Sequence, residues 1–276
     1  MTYASMLVAV EEGAASDSRL ELACDLAIAF EALLVGVSVG SIAPPLYDPL
    51  AGGAMIGELL TLYRDIAETE VERARLRFAE ITTGRALETD WRGGVGYPAE
   101  FVSRAARAAD LLILGCRNPR APSHAPDVAD VLMGSGRPVL VVPPTRLRSP
   151  VGNPALIAWK DCREARHALT GALPLLQRAS SVTLYSVCTA GENEAADGEI
   201  AEVVRYLARH RIHAEPVIAL AGDESTGRQI LDEAMAREAG LIVAGAYGHA
   251  RLREWALGGV TRDLIADSTI CLALAH

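Results

Sequence analysis

The sequence predicts an α/β protein built from two tandem, doubly wound open sheets of parallel strands. Three observations predict it. Short runs of Val, Ile and Leu recur along the chain without polar alternation, as expected of strands buried on both faces. Ala/Leu patterns of helical period separate these runs, and strand alternating with helix implies a parallel sheet with right-handed crossovers. The same order of elements is then stated twice along 276 residues, a length that suits two domains of roughly 140 residues each.

The repeat is explicit in the residues. MLVAVEEGAASDSRLELACDLA (Met6–Ala27) is matched by ALIAWKDCREARHALTGALPLL (Ala155–Leu176): an apolar strand, a polar turn and a helical Ala/Leu pattern. ADLLILGCRNP (Ala109–Pro119) is matched by AGLIVAGAYGH (Ala239–His249), and RPVLVVPP (Arg137–Pro144) by STICLALAH (Ser268–His276). The first pair is offset by 149 positions and the second by 130, so the first half carries roughly 19 extra residues before its fourth strand. SIAPPLYDPLAGGAMIGE (Ser41–Glu58) is the insert expected from this difference.

In order, the apolar run at 6–10 predicts a first strand, the Ala/Leu pattern at 16–30 a helix, and the run at 33–39 a second strand. A Pro/Gly loop follows, then a helix over 55–83 in which ETEVERARLRFAE (Glu68–Glu80) reads as a charged, solvated amphipathic face. Strand 86–92, helix 98–107, strand 110–115, helix 126–133 and strand 138–143 complete the first half. PPTRLRSPVGNP (Pro143–Pro154) is rich in Pro and Arg where the repeat restarts, so it is read as the linker between domains at 1–146 and 152–276.

Half the residues are hydrophobic, 22% are charged and 5% are aromatic, which suits aliphatic strands between Ala/Leu helices and argues against a disordered chain. A net charge of -9 repels a phosphodiester backbone, so no nucleic-acid partner is expected. Cys24, Cys116, Cys162, Cys188 and Cys271 form no CxxC and lie in or beside apolar elements, as reduced, mostly buried thiols do. The N-terminus carries no basic leader, and no apolar stretch approaches the ~18 residues of a membrane helix. The expectation is a soluble, cytoplasmic protein without a membrane partner.

Catalytic patterns are sparse. His210 and His213 stand among Arg209 and Arg211 with no Cys, Asp or Glu at ligand spacing, so no metal site is read there. Ser16, Ser180 and Ser225 lack a His/Asp setting and no G-x-S-x-G elbow occurs. Glu11 and Glu12 read as dipole partners of the following helix. No catalytic residue is assigned, and the chain is read as a binding protein rather than an enzyme.

GAYGHARLREWALGGVTRDLI (Gly245–Ile265) carries the strongest pattern. Gly245 stands at the carboxyl end of an apolar strand, where open parallel sheets bind ligands and glycine lets backbone N–H groups approach them. Gly258 and Gly259, before Val260, Thr261 and Arg262, would start a helix with unpaired N–H groups suited to an anion. The stretch is neither a Walker loop nor GxGxxG. Spacing alone leaves a phosphate cradle and a plain strand-to-helix turn both open.

These residues resemble the Gly-x2-Gly-x9-Gly-[Ser/Thr] signature of the universal stress protein family, with the two copies spanning essentially the whole chain. The resemblance implies a Rossmann-like fold, of the adenine nucleotide alpha hydrolase-like kind, with five parallel strands in the order 3-2-1-4-5. In the family's nucleotide-binding branch it implies ATP or AMP at the strand 1/strand 4 switch point, with Mg only beside a triphosphate. By position, Gly245, Gly248, Gly258 and Gly259 would surround phosphates and ribose, and Ala158 and Val187 would lie against adenine. His249 and Arg251 would add donors near the phosphates, with Val260 and Thr261 at the helix start.

This sequence departs from the pattern at two places in the second half. Lys160 stands where the family has an Asp, leaving a donor in place of an acceptor, with Asp161 beside it. Gly259 replaces the hydroxyl residue after the third glycine. In the first half only Gly115 is kept. Asn118 replaces the second glycine, and the third falls near Ala125 and Pro126, which has no N–H. Glu11 takes the Asp position there. The first half is therefore expected to hold no triphosphate and to serve as scaffold or take another ligand beside the insert. The family also implies that Val139–Val142 and Ile270–Leu274 pair within the chain as a pseudo-dimer, with a homodimer of chains left open. A nucleotide-independent scaffold protein and a slow ATPase stand as the alternatives to a nucleotide-binding stress-response protein.

Overall fold

Apolar side chains on both sides of a strand leave it stable only between two helical layers, and the central strands obey this rule. The computed structural model describes residues 2–41, 53–116, 125–146, 148–189, 193–248 and 259–276. Contacts divide the chain into two units, Tyr3–Ser135 and Gly136–His276.

The N-terminal unit begins with β1 (Ser5–Ala9), in which Met6, Leu7 and Val8 are fully buried. Helix α1 (Ala14–Phe30) starts after Gly13 and ends at Glu31, whose left-handed backbone closes the last turn onto Ala27 and Ile28. β2 (Leu33–Gly40), α2 (Gly53–Thr82), β3 (Thr89–Val95), α3 (Pro98–Ala105), β4 (Leu111–Gly115) and α4 (Val128–Ser135) follow. The strands run parallel in the order β3-β2-β1-β4, with Met6 opposite both Leu34 and Leu111.

The C-terminal unit contains β5 (Val139–Val142), β6 (Ala155–Ala158), α5 (Arg163–Leu176), β7 (Val182–Cys188) and α6 (Asn193–Arg209). It continues through β8 (Ala214–Leu220), α7 (Thr226–Ala236), β9 (Leu241–Gly245), α8 (Gly259–Asp267) and β10 (Cys271–Ala275). Here β8-β7-β6-β9-β10 run parallel in the expected 3-2-1-4-5 order. β5 adds to the far edge of β10 and runs antiparallel to it, with Val141, Leu140 and Val139 opposite Leu272, Ala273 and Leu274. The strand that ends the first repeat in sequence is thus grouped with the second unit, and the division falls at Ser135/Gly136.

Most element boundaries differ from the sequence expectation by one to three residues, and three of them have a local cause. The third strand is Thr89–Val95 rather than 86–92. Gly84, at φ +79°, ends α2, and a turn closed by the Leu87 N–H on the Arg85 carbonyl (2.9 Å) delays pairing until Thr89. The helix expected at 126–133 is Val128–Ser135, because Asp127 Oδ1 accepts from the Ala129 N–H (2.9 Å) and caps it from outside. The helix expected at 98–107 gives way to a 3-10 turn over Ala106–Ala108. Most of the expected insert, 42–52, lies outside the described residues.

α2 is solvated on its charged face, where Arg64 pairs with Glu68 and Arg75 with Glu72. Exposed pairs of this kind add little stability, because solvent screens them and ordering two long side chains costs entropy. Its opposite face places Phe78 against Trp91 of β3, with ring centroids 5.4 Å apart. All five cysteines are thiols. Among the described residues no helix is long and apolar enough to cross a membrane.

Leu272 lies fully buried between β5 and β9. Leu272→Ala should therefore cost about 2–5 kcal/mol of unfolding free energy, measured as a shift in the urea midpoint at unchanged slope.

Candidate functional site

In the C-terminal unit the chain leaves β6 toward β7 and later returns to β6's other side as β9, so strand order reverses between β6 and β9. The carboxyl ends of such a pair border a crevice. Ala158, the last residue of β6, is paired with Ala244 on one side and Tyr185 on the other. Val187, two residues beyond Tyr185 on β7, is half-buried.

Gly245 ends β9, and α5's first turn packs directly upon it. A Cβ there would stand 2.5 Å from the Ala165 backbone nitrogen and 2.8 Å from the Glu164 carbonyl carbon, so only glycine permits the contact. The turn that follows is anchored by the Ala246 N–H on the Ala275 carbonyl (2.9 Å). Tyr247 adopts φ +60°, a left-handed conformation that a bulky residue takes at a cost. At Gly248 a Cβ would lie 2.8 Å from Glu164 Oε2 and 3.7 Å from Cys162 Sγ.

The wall facing this turn is charged. The Glu164 side chain is 7% exposed and pairs with the largely solvated Arg163 at 3.0 Å. Burial pushes its carboxyl pKa up, but its own backbone N–H, the Arg163 guanidinium and the Cys162 thiol together hold it below the ordinary carboxylate value. Arg163 Nη2 also lies 3.2 Å from His276 Nε2, while His276 Nδ1 lies 3.2 Å from the Ala246 carbonyl. With Nδ1–H donating to Ala246, the ring accepts from Arg163 through Nε2. This chain of bonds ties the turn after β9 to the start of α5.

Lys160 is exposed at the end of β6. Asp161, the neighbouring acceptor, is engaged by Arg166 at 2.7 and 3.0 Å. Between Ala158 and Lys160 lies Trp159, 7% exposed, whose indole N–H has no acceptor. The end of β6 therefore offers donors. At the start of α8, Gly259 is exposed, Val260 half-buried and Thr261 5% exposed, so the Thr261 side chain is directed inward rather than displayed at the helix tip. His249, Arg251 and Gly258 lie outside the described residues. The structure thus brings Ala158, Gly245 and Gly248 together with α5's first turn, sets Val187 one strand away, and leaves Lys160 at the solvent edge.

The corresponding place in the N-terminal unit is filled by the chain itself. Arg19 of α1 is 3% exposed. Its Nε and Nη2 donate to the Ala9 carbonyl at 3.0 and 2.9 Å, and Nη2 also reaches Glu11 Oε2 at 2.5 Å and Ser16 Oγ at 3.2 Å. A Cβ at Gly115 would collide with Arg19 Nη1. The guanidinium therefore bridges the ends of β1 and β4, and Glu11 serves as its counter-ion.

Arg19, Glu164 and Trp159 escape a reading based on glycine spacing. A signal for the first two exists: Arg19 falls among the inward positions Ser16, Leu20 and Ala23 of α1, and Glu164 among Ala165, Ala168 and Leu169 of α5. A charge on an apolar stripe marks a group with a buried partner. Trp159 leaves no such mark, since an aromatic beside a strand is ordinary core.

Comparison with solved structures places this architecture. A universal stress protein from Archaeoglobus fulgidus DSM 4304 matches 98% of this chain and 97% of its own, with a TM-score of 0.72 at 15% identity. A putative universal stress protein from Pseudomonas aeruginosa UCBPP-PA14 covers 99% of this chain and 93% of its own, with a TM-score of 0.58 at 15% identity. A functionally unknown protein from Pseudomonas aeruginosa PAO1 covers 99% and 92%, with a TM-score of 0.57 at 14% identity. The chain has the fold of these proteins, as the glycine signature implied. No family model and no curated protein matches the sequence.

Two outcomes follow from the charged groups. Arg19→Ala strips the donors from Glu11 and Ala9, and should cost near the lower end of the ~3–5 kcal/mol typical of a broken buried pair, because Glu11 is 30% exposed. Urea unfolding reads this loss. The Glu164 carboxyl is held low in the folded state, so it stabilises the fold above its unfolded value and loses that contribution as pH falls through the folded value. Glu164→Gln should flatten the acid limb of the stability curve, measured by unfolding at a series of acid pH values.

Proposed function

We propose that the chain is a tandem member of the universal stress protein family, acting as a stress-response regulator. In this reading the C-terminal unit receives an adenine nucleotide, ATP or AMP, at the β6/β9 crevice and changes its interactions with partners when it is filled. The observation that carries the reading is the Gly245–Gly248 turn, packed on α5's first turn at the point where strand order reverses. Backbone at such a turn can approach a ligand closely, and Ala158 and Val187 present small or apolar surface beside it. The N-terminal unit serves as scaffold, because Arg19 and Glu11 occupy its equivalent place. The ligand alters association, and no chemical step is assigned to it.

Calorimetry with ATP, ADP and AMP tests the reading, with saturable binding expected for at least one of them. Gly259→Val supplies the control: a Cβ there meets nothing within 4 Å, so the fold is retained while a side chain is added at the helix start. Binding should fall by at least tenfold (about 1.4 kcal/mol) at unchanged urea midpoint.

A further inference from the structure

Among the described residues, the side chain that stands against Gly248 in the C-terminal crevice is an anion belonging to the chain. A helix start beside a strand end ordinarily attracts phosphate through its free N–H groups. At α5 that place is taken by Glu164, whose Oε2 lies 2.8 Å from the position of a Cβ on Gly248. With 7% of the side chain exposed, the carboxylate is not free to swing into water without leaving its partners. Its counter-charge among the described residues, Arg163, is 62% exposed and shared with His276.

The carboxylate accepts from its own backbone N–H in the first turn of α5, but the fold does not require this cap. The repeat offset aligns Glu164 with Ala15, and α1 forms from Ala14 onward with no side-chain cap at all. Near the end of β6, Trp159 holds a buried indole N–H with no partner among the described residues, and Lys160 is exposed to solvent.

We propose that Glu164 sets how much phosphate the C-terminal crevice tolerates, so that ligands of the adenosine class rank by charge, with adenosine and AMP ahead of ATP. This rests on the reading of the crevice as an adenine nucleotide site. The buried carboxylate repels each added phosphate charge while leaving the nucleoside end untouched, so Glu164 acts as the specificity determinant.

Ligand-observed NMR and calorimetry with adenosine, AMP and ATP, on the full chain and on Glu164→Gln, test it. Removing the charge at constant shape should strengthen AMP and ATP by about tenfold or more and leave adenosine within about twofold. AMP and ATP affinities that move no more than adenosine would overturn the proposal while the nucleotide reading stands. Binding of none of the three to either protein would overturn that reading, and the proposal with it. Glu164→Ala installs the side chain that α1 carries at the aligned place, and it should show the same gain if Glu164→Gln folds poorly by circular dichroism.

Discussion

The contact on which the C-terminal crevice depends is the seating of a helix's first turn against the end of the neighbouring parallel strand. In the C-terminal unit it is direct, backbone on backbone, because Gly245 has no Cβ to hold Ala165 away. The position of α5 then decides where Glu164 stands, which residues border the turn at Gly248, and how His276 links Ala246 to Arg163. A single methyl group at Gly245 would push the first turn of α5 outward and disturb all of these at once.

The N-terminal unit solves the same geometric problem with a side chain. Gly115 ends β4 as Gly245 ends β9, yet the space beside it is taken by the Arg19 guanidinium. A buried arginine requires acceptors, and Ala9, Glu11 and Ser16 supply them. In the C-terminal copy the aligned residues are Ala158, Lys160 and Ala165, with Ala168 in place of Arg19. Guanidinium and acceptor side chains changed together, as expected where either alone would leave a buried group unpaired. The two copies therefore share a backbone and differ in what fills the strand ends: a cation held by its acceptors in one, a carboxylate beside a glycine turn in the other.

β5 shows how pairing can override sequence order. Its four residues are all buried, and three of them face β10 in an antiparallel ladder. The linker after it contains prolines, which mark a break in the repeat, whereas compactness follows contacts and groups β5 with the second unit. Composition shifts locate where a repeat restarts in the chain. They do not locate where its last strand packs.

The family resemblance implied the strand order of the C-terminal unit, and the sequence by itself determined the fold class and the position of the glycine turn after β9. The last two follow from periodicity and from residues whose backbone freedom is local. Strand and helix ends were legible only to within a few residues, since Asp127's capping role and the turn after Gly84 depend on hydrogen bonds rather than on hydrophobic pattern. Only the tertiary structure decided that Asp161 is committed to Arg166, that Thr261 turns inward, that Arg19 closes the N-terminal strand ends and that Glu164 faces Gly248. Each of these is a matter of where a side chain lies once strand ends and helix starts are packed. Periodicity marks the inward face on which Arg19 and Glu164 fall, but the group that each one meets is set by that packing.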